Sequence, residues 1–210
     1  DVYGPSQPKM LGISDKPSSP DGKTIIPLKN HGVTAMSLGL MVPENQSIVW
    51  RGPMLMGALQ QMLNQVKWGE QDYLFVDLPP GTGDVQLTLC QKTKIAGAIV
   101  VSTPQDIALL DARKGLNMFN KLSTPVIGLI ENMSSFICSG CGMKHYPFNN
   151  GTIKKEAQNF NTVLLGELPL DLETREASDL GVPIVVKNPK NPTSLAFYEI
   201  AEKIIQMKLN

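Results

Sequence analysis

The sequence has no excess charge of either sign and no long apolar segment. Its 210 residues contain 19 lysines and arginines against 19 aspartates and glutamates. Without a net field the chain is not expected to attract nucleic acid or anionic lipid. No apolar run reaches the roughly 18 residues that a membrane-spanning helix needs, so stable insertion into a membrane is not expected. The hydrophobic content of 42% is nevertheless enough for a substantial core.

Cysteine is also scarce. The chain contains three cysteines, Cys90, Cys138 and Cys141. They are too few and too unevenly spaced for a disulfide framework. This usage favours a reducing compartment such as the cytosol.

What the sequence does contain is a regular alternation of short apolar segments with amphipathic ones. This alternation is typical of a parallel sheet with crossover helices. The predicted strands are 73–77, 98–102 and 126–130, with weaker candidates at 33–37 and 162–165. The predicted helices cover about 53–66, 85–92, 105–121, 152–160 and 192–207. The chain is therefore predicted to be an α/β domain with a mostly parallel sheet and helices on both faces.

A glycine-containing loop follows the first of these strands, in the stretch DYLFVDLPPGTGDVQ at 72–86. Asp77 ends the apolar run, in the pattern of a Walker B strand, and ligands of open α/β sheets bind at this edge. A carboxylate there can hold the water shell of a nucleotide-bound Mg²⁺. Gly81 and Gly83 flank Thr82 and permit positive φ and close backbone approach. The loop is thus predicted to sense a γ-phosphate and rearrange on hydrolysis, although a plain strand and turn would explain Asp77 alone.

Several stretches together resemble a known family. They are DVYGPSQPKMLG, DYLFVDLPPGTGDVQLTL, STPQDIALLDARKG and ENMSSFICSGCG. In this order they are similar to the Mrp/ApbC group of iron–sulfur carrier ATPases, which are relatives of the MinD/ParA and nitrogenase iron-protein NTPases. The resemblance implies a P-loop NTPase fold, ATP and Mg²⁺ as ligands, and a 4Fe–4S cluster that is passed to apo-proteins. It implies a cytoplasmic location for a bacterial member and the mitochondrial matrix for a mitochondrial one.

The sequence lacks the phosphate-binding motif that this resemblance calls for. No G-x-x-x-x-G-K-S/T occurs in it. Members of the family carry a glycine-rich loop with two lysines on the first strand–helix unit, followed by a strand that ends in Asp-x-Asp. Asp1 corresponds to the second of these aspartates. We therefore expect residues 1–210 to be a single P-loop NTPase domain without its first strand and P-loop. The resemblance implies catalytic roles for Asp1, beside the γ-phosphate, and for Asp77, at the Mg²⁺.

The second chemical feature is the pair Cys138 and Cys141, in a predicted cluster-binding loop at 136–148. Two thiolates at this spacing are half of a tetrathiolate site for zinc or for a 4Fe–4S cluster. A homodimer would supply the other half, because a two-fold axis contributes the same ligands twice. Three alternatives remain: a zinc centre completed by His145, a redox dithiol, and unligated cysteines. The resemblance favours the shared cluster.

Asn132 follows the predicted strand 126–130 and is a candidate for nucleotide binding. In MinD-like relatives an asparagine at this position reads the adenine ring, and Pro169, in the stretch ELPLD at 167–171, resembles the segment that packs on the other side of the base. For Asn132 a local turn is an alternative, and for Pro169 and Asp171 the turn is favoured. Two other functions stay open: a positioning ATPase of the ParA/MinD type, which would need a basic patch, and a zinc-stapled structural protein.

Overall fold

The computed structural model describes residues 1–4, 6–41 and 52–209. The strands are β1 (Leu28–Asn30), β2 (Val33–Ala35), β3 (Ala98–Ser102), β4 (Val126–Ile137), β5 (Lys144–His145) and β6 (Leu164–Leu170). The helices are α1 (Ser6–Met10), α2 (Gly52–Asn64), α3 (Asp84–Lys92), α4 (Asp106–Lys121), α5 (Thr152–Asn159), α6 (Leu172–Asp179), α7 (Ile184–Lys187) and α8 (Pro192–Gln206).

The main sheet is mostly parallel, as predicted. β4 lies between β3 and β6 and runs parallel to both, while β5 pairs antiparallel with the end of β4. In this register Val101 lies beside Ile130, and Ile130 lies beside Gly166. The predicted strand at 98–102 is confirmed at both ends. β4 is longer than predicted because the chain continues past Ile130 into the hairpin with β5.

Helices cover both faces of this sheet, which confirms the predicted architecture. On one face, Leu129 of β4 packs in a buried cluster with Leu109 and Leu116 of α4 and with Ile153 of α5. On the other face, α8 packs on β6 through a second buried cluster, which consists of Leu165, Leu168, Ile200 and Ile204. Each fully buried leucine or isoleucine of these clusters contributes about 1.5–3 kcal/mol through the hydrophobic effect. The predicted helix at 192–207 is thus a core helix.

The N-terminal part forms a second packed layer. Val2, Met36 and Leu38 are buried against Leu59 of α2 and Leu89 of α3. The predicted strand at 33–37 is observed as β2, which pairs with β1 in an antiparallel hairpin. Three short helices, α1, α6 and α7, were not predicted, because elements of four to eight residues give little periodicity to detect.

The predicted strand at 73–77 is wrong for this structure. Residues 73–77 lie outside any strand, and Tyr73, Leu74 and Phe75 are 44%, 48% and 69% exposed. No strand of the described ranges runs beside this segment to complete a hydrogen-bonded ladder. The apolar pattern of the segment is that of a strand buried on both faces, and here it lacks the neighbours that would bury it.

Candidate functional site

Asp77 is held in place by the N-terminal segment. The Nε2 of Gln7 donates a hydrogen bond to Oδ2 of Asp77 over 2.8 Å, and the backbone N–H of Val2 donates to the carbonyl oxygen of Asp77 over 3.0 Å. These contacts bring the backbone of Asp1 and Val2 next to Asp77. Gln7 was missed in the sequence, where nothing local links it to a residue 70 positions away.

Asp1 is itself fixed by the start of the second layer. Its Oδ2 accepts a hydrogen bond from the Ser37 hydroxyl over 3.0 Å, and its Oδ1 accepts one from the Tyr3 N–H over 3.2 Å. The side chain of Asp1 is therefore held by its contacts with Ser37 and Tyr3.

The glycine loop follows Asp77 and ends at α3. Gly81 has φ +94°, which a residue with a Cβ rarely adopts. Gly83 is the N-cap of α3, and Asp84 is the first helical residue, where its charge complements the helix dipole. Gln86, which is 3% exposed, donates from Nε2 to the carbonyl oxygens of Pro79 and Gly81 over 2.7 and 3.1 Å. Gln86 was also missed, because no motif in the sequence marks this glutamine as a donor to the loop.

A large apolar groove opens beside this loop. It has a volume of about 940 Å³ and lies between residues 73–81 and the free edge of β3. Its walls include Phe75 and Val101, with Phe119 of α4 on one side and Ile200 of α8 on the other. Asp77 and Gly81 lie at the end of the groove where β3 terminates. The groove thus extends from the unpaired edge of β3 to the residues that are predicted to face phosphate.

Asn132 also lines this groove, whereas Pro169 is not among the residues that line it. The Oδ1 of Asn132 accepts a hydrogen bond from the Met133 N–H over 2.9 Å, and Met133 has φ +54°. Asn132 therefore lies within β4 and bonds its chain neighbour at the wall of the groove, and its role in nucleotide binding stays a prediction.

Pro169 lies within β6 rather than in a turn, so that interpretation of Pro169 is wrong. Asp171, in contrast, caps α6, as the turn interpretation predicted: its Oδ2 accepts from the Thr174 N–H over 2.8 Å. The same oxygen accepts from Nδ2 of Asn191 over 3.3 Å. These contacts hold the 167–171 segment against the start of α8.

The cysteine pair occupies the turn of the β4–β5 hairpin. The N–H of Cys138 donates to the carbonyl oxygen of Met143 over 2.9 Å, and the N–H of Gly142 donates to the carbonyl oxygen of Cys138 over 2.8 Å. Gly142 has φ +72°, as this tight turn requires. Cys141 is exposed and Cys138 is half-buried. The hairpin therefore presents both sulfurs at a protruding tip.

The environment of Cys138 favours its thiolate. The backbone N–H groups of Cys141 and Gly140 donate towards its sulfur and, together with the Cys141 thiol, lower the pKa of Cys138 against a smaller effect of burial. A thiolate is the form that ligates metal. Within residues 1–4, 6–41 and 52–209, no group of three or more His, Cys, Asp or Glu side chains is arranged to hold a metal ion.

The remaining cysteine is not part of this site. Cys90 lies on α3 and packs against a buried cluster that includes Met118 and Phe119. Among the described helices, none combines the length and apolar character needed to cross a bilayer.

Comparison with solved structures identifies the class of the fold. A structure described as a nucleotide-binding protein in complex with ADP from Archaeoglobus fulgidus has a TM-score of 0.74 at 33% identity, over 93% of this chain and 75% of that one. A MinC:MinD cell division protein complex from Aquifex aeolicus has a TM-score of 0.53 at 18% identity, over 73% of this chain and 58% of that one. The fold is that of MinD-like P-loop NTPases, as predicted.

Sequence comparison identifies the family. The family described as NUBPL iron-transfer P-loop NTPase, of the ParA group, matches residues 1–205. An "Iron-sulfur cluster carrier protein" of Haemophilus influenzae is 51% identical over 205 residues, which are 97% of this chain and 55% of that protein. The mouse "Iron-sulfur cluster transfer protein NUBPL" is 47% identical over 98% of this chain and 65% of its own length.

The chain therefore belongs to the NUBPL iron-transfer P-loop NTPase family, which confirms the predicted resemblance. It spans only about half to two thirds of the length of these curated relatives.

Proposed function

We propose that this chain is the cluster-binding part of an ATP-dependent iron–sulfur carrier. It holds a 4Fe–4S cluster between two copies and passes it to apo-proteins. The observation that carries this proposal is the hairpin turn with Cys138 and Cys141 at its tip, supported by the names of the family and of its relatives. The free thiols suit a reducing compartment, either the bacterial cytoplasm or the mitochondrial matrix.

The second copy follows from the number of ligands. A 4Fe–4S cluster takes four thiolates, and the hairpin offers two. Ile137 and Met143, which flank the cysteines, are 53% and 60% exposed. Two such tips facing each other across a two-fold axis would complete the ligand set and cover these apolar side chains. The donor chemistry fits a soft iron–sulfur cargo, because backbone N–H groups lower the pKa of Cys138 and so favour the thiolate that ligates metal.

The nucleotide site of this proposal lies at the end of the groove. Asp77 would hold the water shell of Mg²⁺, Asp1 would position the attacking water, and the loop of Gly81, Thr82 and Gly83 would contact the γ-phosphate. Asn132, which lines the same groove, would contact the adenine ring. The ADP bound to the Archaeoglobus protein supports a nucleotide as the ligand. For Pro169 the position within β6 supports no more than an indirect role.

The phosphate-binding lysines are not in these 210 residues. We propose that a further segment of the longer protein supplies them and that its strand enters the groove beside the free edge of β3. Pairing there would bury Phe75 and Val101, which are 69% and 57% exposed. The 210-residue chain alone is then expected to bind ATP weakly and not to hydrolyse it, because Asp77 would face phosphate without the cationic cradle.

Anaerobic reconstitution with iron and sulfide tests the cluster. The expected result is a chromophore with about four irons per two chains and a dimer in size-exclusion chromatography with light scattering. Cys138→Ser and Cys141→Ser should each abolish the chromophore, whereas the control Cys90→Ser should keep it. A monomer that retains four irons, or a colourless zinc complex, would contradict the proposal.

A further inference from the structure

We infer that Gln86 is the positioning residue of the glycine loop: its side-chain amide orients the loop's backbone for the phosphate that the loop contacts. This inference rests on the proposed nucleotide function. Gln86 borders the groove, but its side-chain amide is bound to the loop. Gln86 is buried and lies in the first turn of α3, directly behind the loop.

The hydrogen bonds of Gln86 use both N–H bonds of one amide. Its Nε2 lies 2.7 Å from the Pro79 carbonyl oxygen and 3.1 Å from the Gly81 carbonyl oxygen. A single NH₂ group therefore joins both ends of the three-residue stretch from Pro79 to Gly81. Among the residues that the structure describes, no other side chain donates a hydrogen bond to this stretch.

The orientation of the Gly81 carbonyl determines the direction of a potential phosphate donor. In a trans peptide the C=O of one residue and the N–H of the next point in opposite directions, and the described residues contain no cis peptide. Because the Gly81 carbonyl points at Gln86, the N–H of Thr82 points away from Gln86. Residues 81–83 are exposed. Backbone N–H groups presented in this way are what phosphate-binding loops use.

The anchor of this arrangement is rigid. Val85 and Leu89, on either side of Gln86 in α3, are 5% exposed and belong to the buried cluster with Val2 and Leu59. The Leu87 N–H donates to the Gly83 carbonyl oxygen over 3.3 Å and starts the helix at the end of the loop. Packing in the core thus fixes the position of α3, and α3 fixes the position of Gln86. The hydrogen bonds of Gln86 in turn fix the loop. Without the amide, Gly81 and Gly83 would leave the loop free to sample other conformations.

Two substitutions separate a positioning role from a merely structural one. Gln86→Leu removes both N–H donors and replaces the amide with an apolar group, in a side chain of similar size. Gln86→Glu keeps the shape, but its carboxylate faces two carbonyl oxygens without a proton, and only its protonated form can donate. Gln91, exposed on the same helix, provides matched controls in Gln91→Leu and Gln91→Glu.

The first measurement uses the 210-residue chain without nucleotide. ¹⁵N relaxation of the Thr82 amide should give an order parameter near 0.85 in the wild type and below about 0.6 in Gln86→Leu. The core amides and both Gln91 variants should be unchanged. An unchanged Thr82 order parameter in a folded Gln86→Leu variant overturns the inference, whatever the ATPase assay shows.

The second measurement uses the protein extended by the phosphate-binding segment. Gln86→Leu should lower kcat for ATP hydrolysis about tenfold or more and change KM by less than about twofold, because the amide of Gln86 is bound to the loop and not offered to ATP. Gln86→Glu should lose activity at about pH 8 and recover part of it at about pH 6, where the acid form can donate. A rise in KM with unchanged kcat, or a pH profile equal to that of the wild type, overturns the inference. A wild-type protein that neither binds nor hydrolyses ATP refutes the proposed nucleotide function instead, and the relaxation data still decide whether Gln86 orders the loop.

Discussion

Replacement of Glu131 by glutamine is expected to stabilise the protein at neutral pH. Glu131 lies on β4, one residue before Asn132, and is 1% exposed. Its Oε2 has no hydrogen-bond partner among the residues that the structure describes. Burial raises the pKa of Glu131, the neighbouring charge of Glu167 on β6 raises it further, and the N–H of Ile153 opposes these effects. The folded protein therefore carries an incompletely paired carboxylate in its interior.

The expected change in stability follows from the unpaired Oε2 atom of Glu131. A buried polar atom without a partner costs about 1–3 kcal/mol, and more when it is charged. Glutamine keeps the shape of Glu131 and the acceptor for the Ile153 N–H but carries no charge. Because the new amide NH₂ retains part of the cost, the expected gain in the free energy of unfolding is about 1–2 kcal/mol at about pH 7.5.

The gain should depend on pH in a defined direction. Since the pKa of Glu131 is raised above its ordinary 4.5, the folded state holds this proton more tightly than the unfolded state. Below the pKa that Glu131 has in the unfolded state, the side chain is protonated in both states, so its burial removes no charge from water. The protein loses stability as pH rises through the pKa that Glu131 has in the folded state. The advantage of Glu131→Gln should be smallest below the ordinary pKa of 4.5 and should grow as pH rises through the folded pKa.

Urea unfolding followed by circular dichroism at several pH values measures this difference. Glu167→Gln is the companion variant: it removes only the repulsion between two neighbouring strands, so it should give a smaller gain over the same pH range. If Glu131→Gln were less stable than the wild type at neutral pH, or more stable by the same amount at every pH, the assigned cost of burying this charge would be refuted.

Other substitutions test the packing and the ion pair between α4 and α5. A Cβ at Gly166 would lie 2.5 Å from Cγ1 of Ile200, so Gly166→Ala should lower the free energy of unfolding in urea by about 1–3 kcal/mol. Ile200→Ala in the same chain should reduce that loss. Gly115→Ala should cause no loss, because a Cβ there meets nothing within 4 Å. The hydrogen bond with Arg113, whose Nη2 lies 2.6 Å from Oε1 of Glu156, lowers the pKa of Glu156. The stability from this pair is therefore present above the ordinary pKa of 4.5 and lost as pH falls through the folded pKa. Arg113→Met should accordingly destabilise the protein at neutral pH and converge with the wild type in acid, and a constant difference at every pH would contradict this.

The amino-acid sequence by itself determined the class of the fold and the chemistry of its cysteines. Residues 98–102 form a continuous apolar run, and such a run specifies a strand buried on both faces wherever a neighbour is available. The stretch from Cys138 to Gly142 specifies a tight turn that carries both cysteines, because the residues that shape the turn lie between and next to them. These features are local, so a single stretch of chain encodes them.

Only the tertiary structure decided which residues meet. Residues 73–77 have the same apolar character as β3 but lie outside the sheet, because a strand needs a partner and the pattern of one segment does not reveal whether a partner is present. Gln7 reaches Asp77 across 70 positions, and Gln86 stabilises the glycine loop through an amide that no motif marks. Hydrogen bonds between distant residues depend on how the elements pack around the core, and that packing is a property of the whole chain.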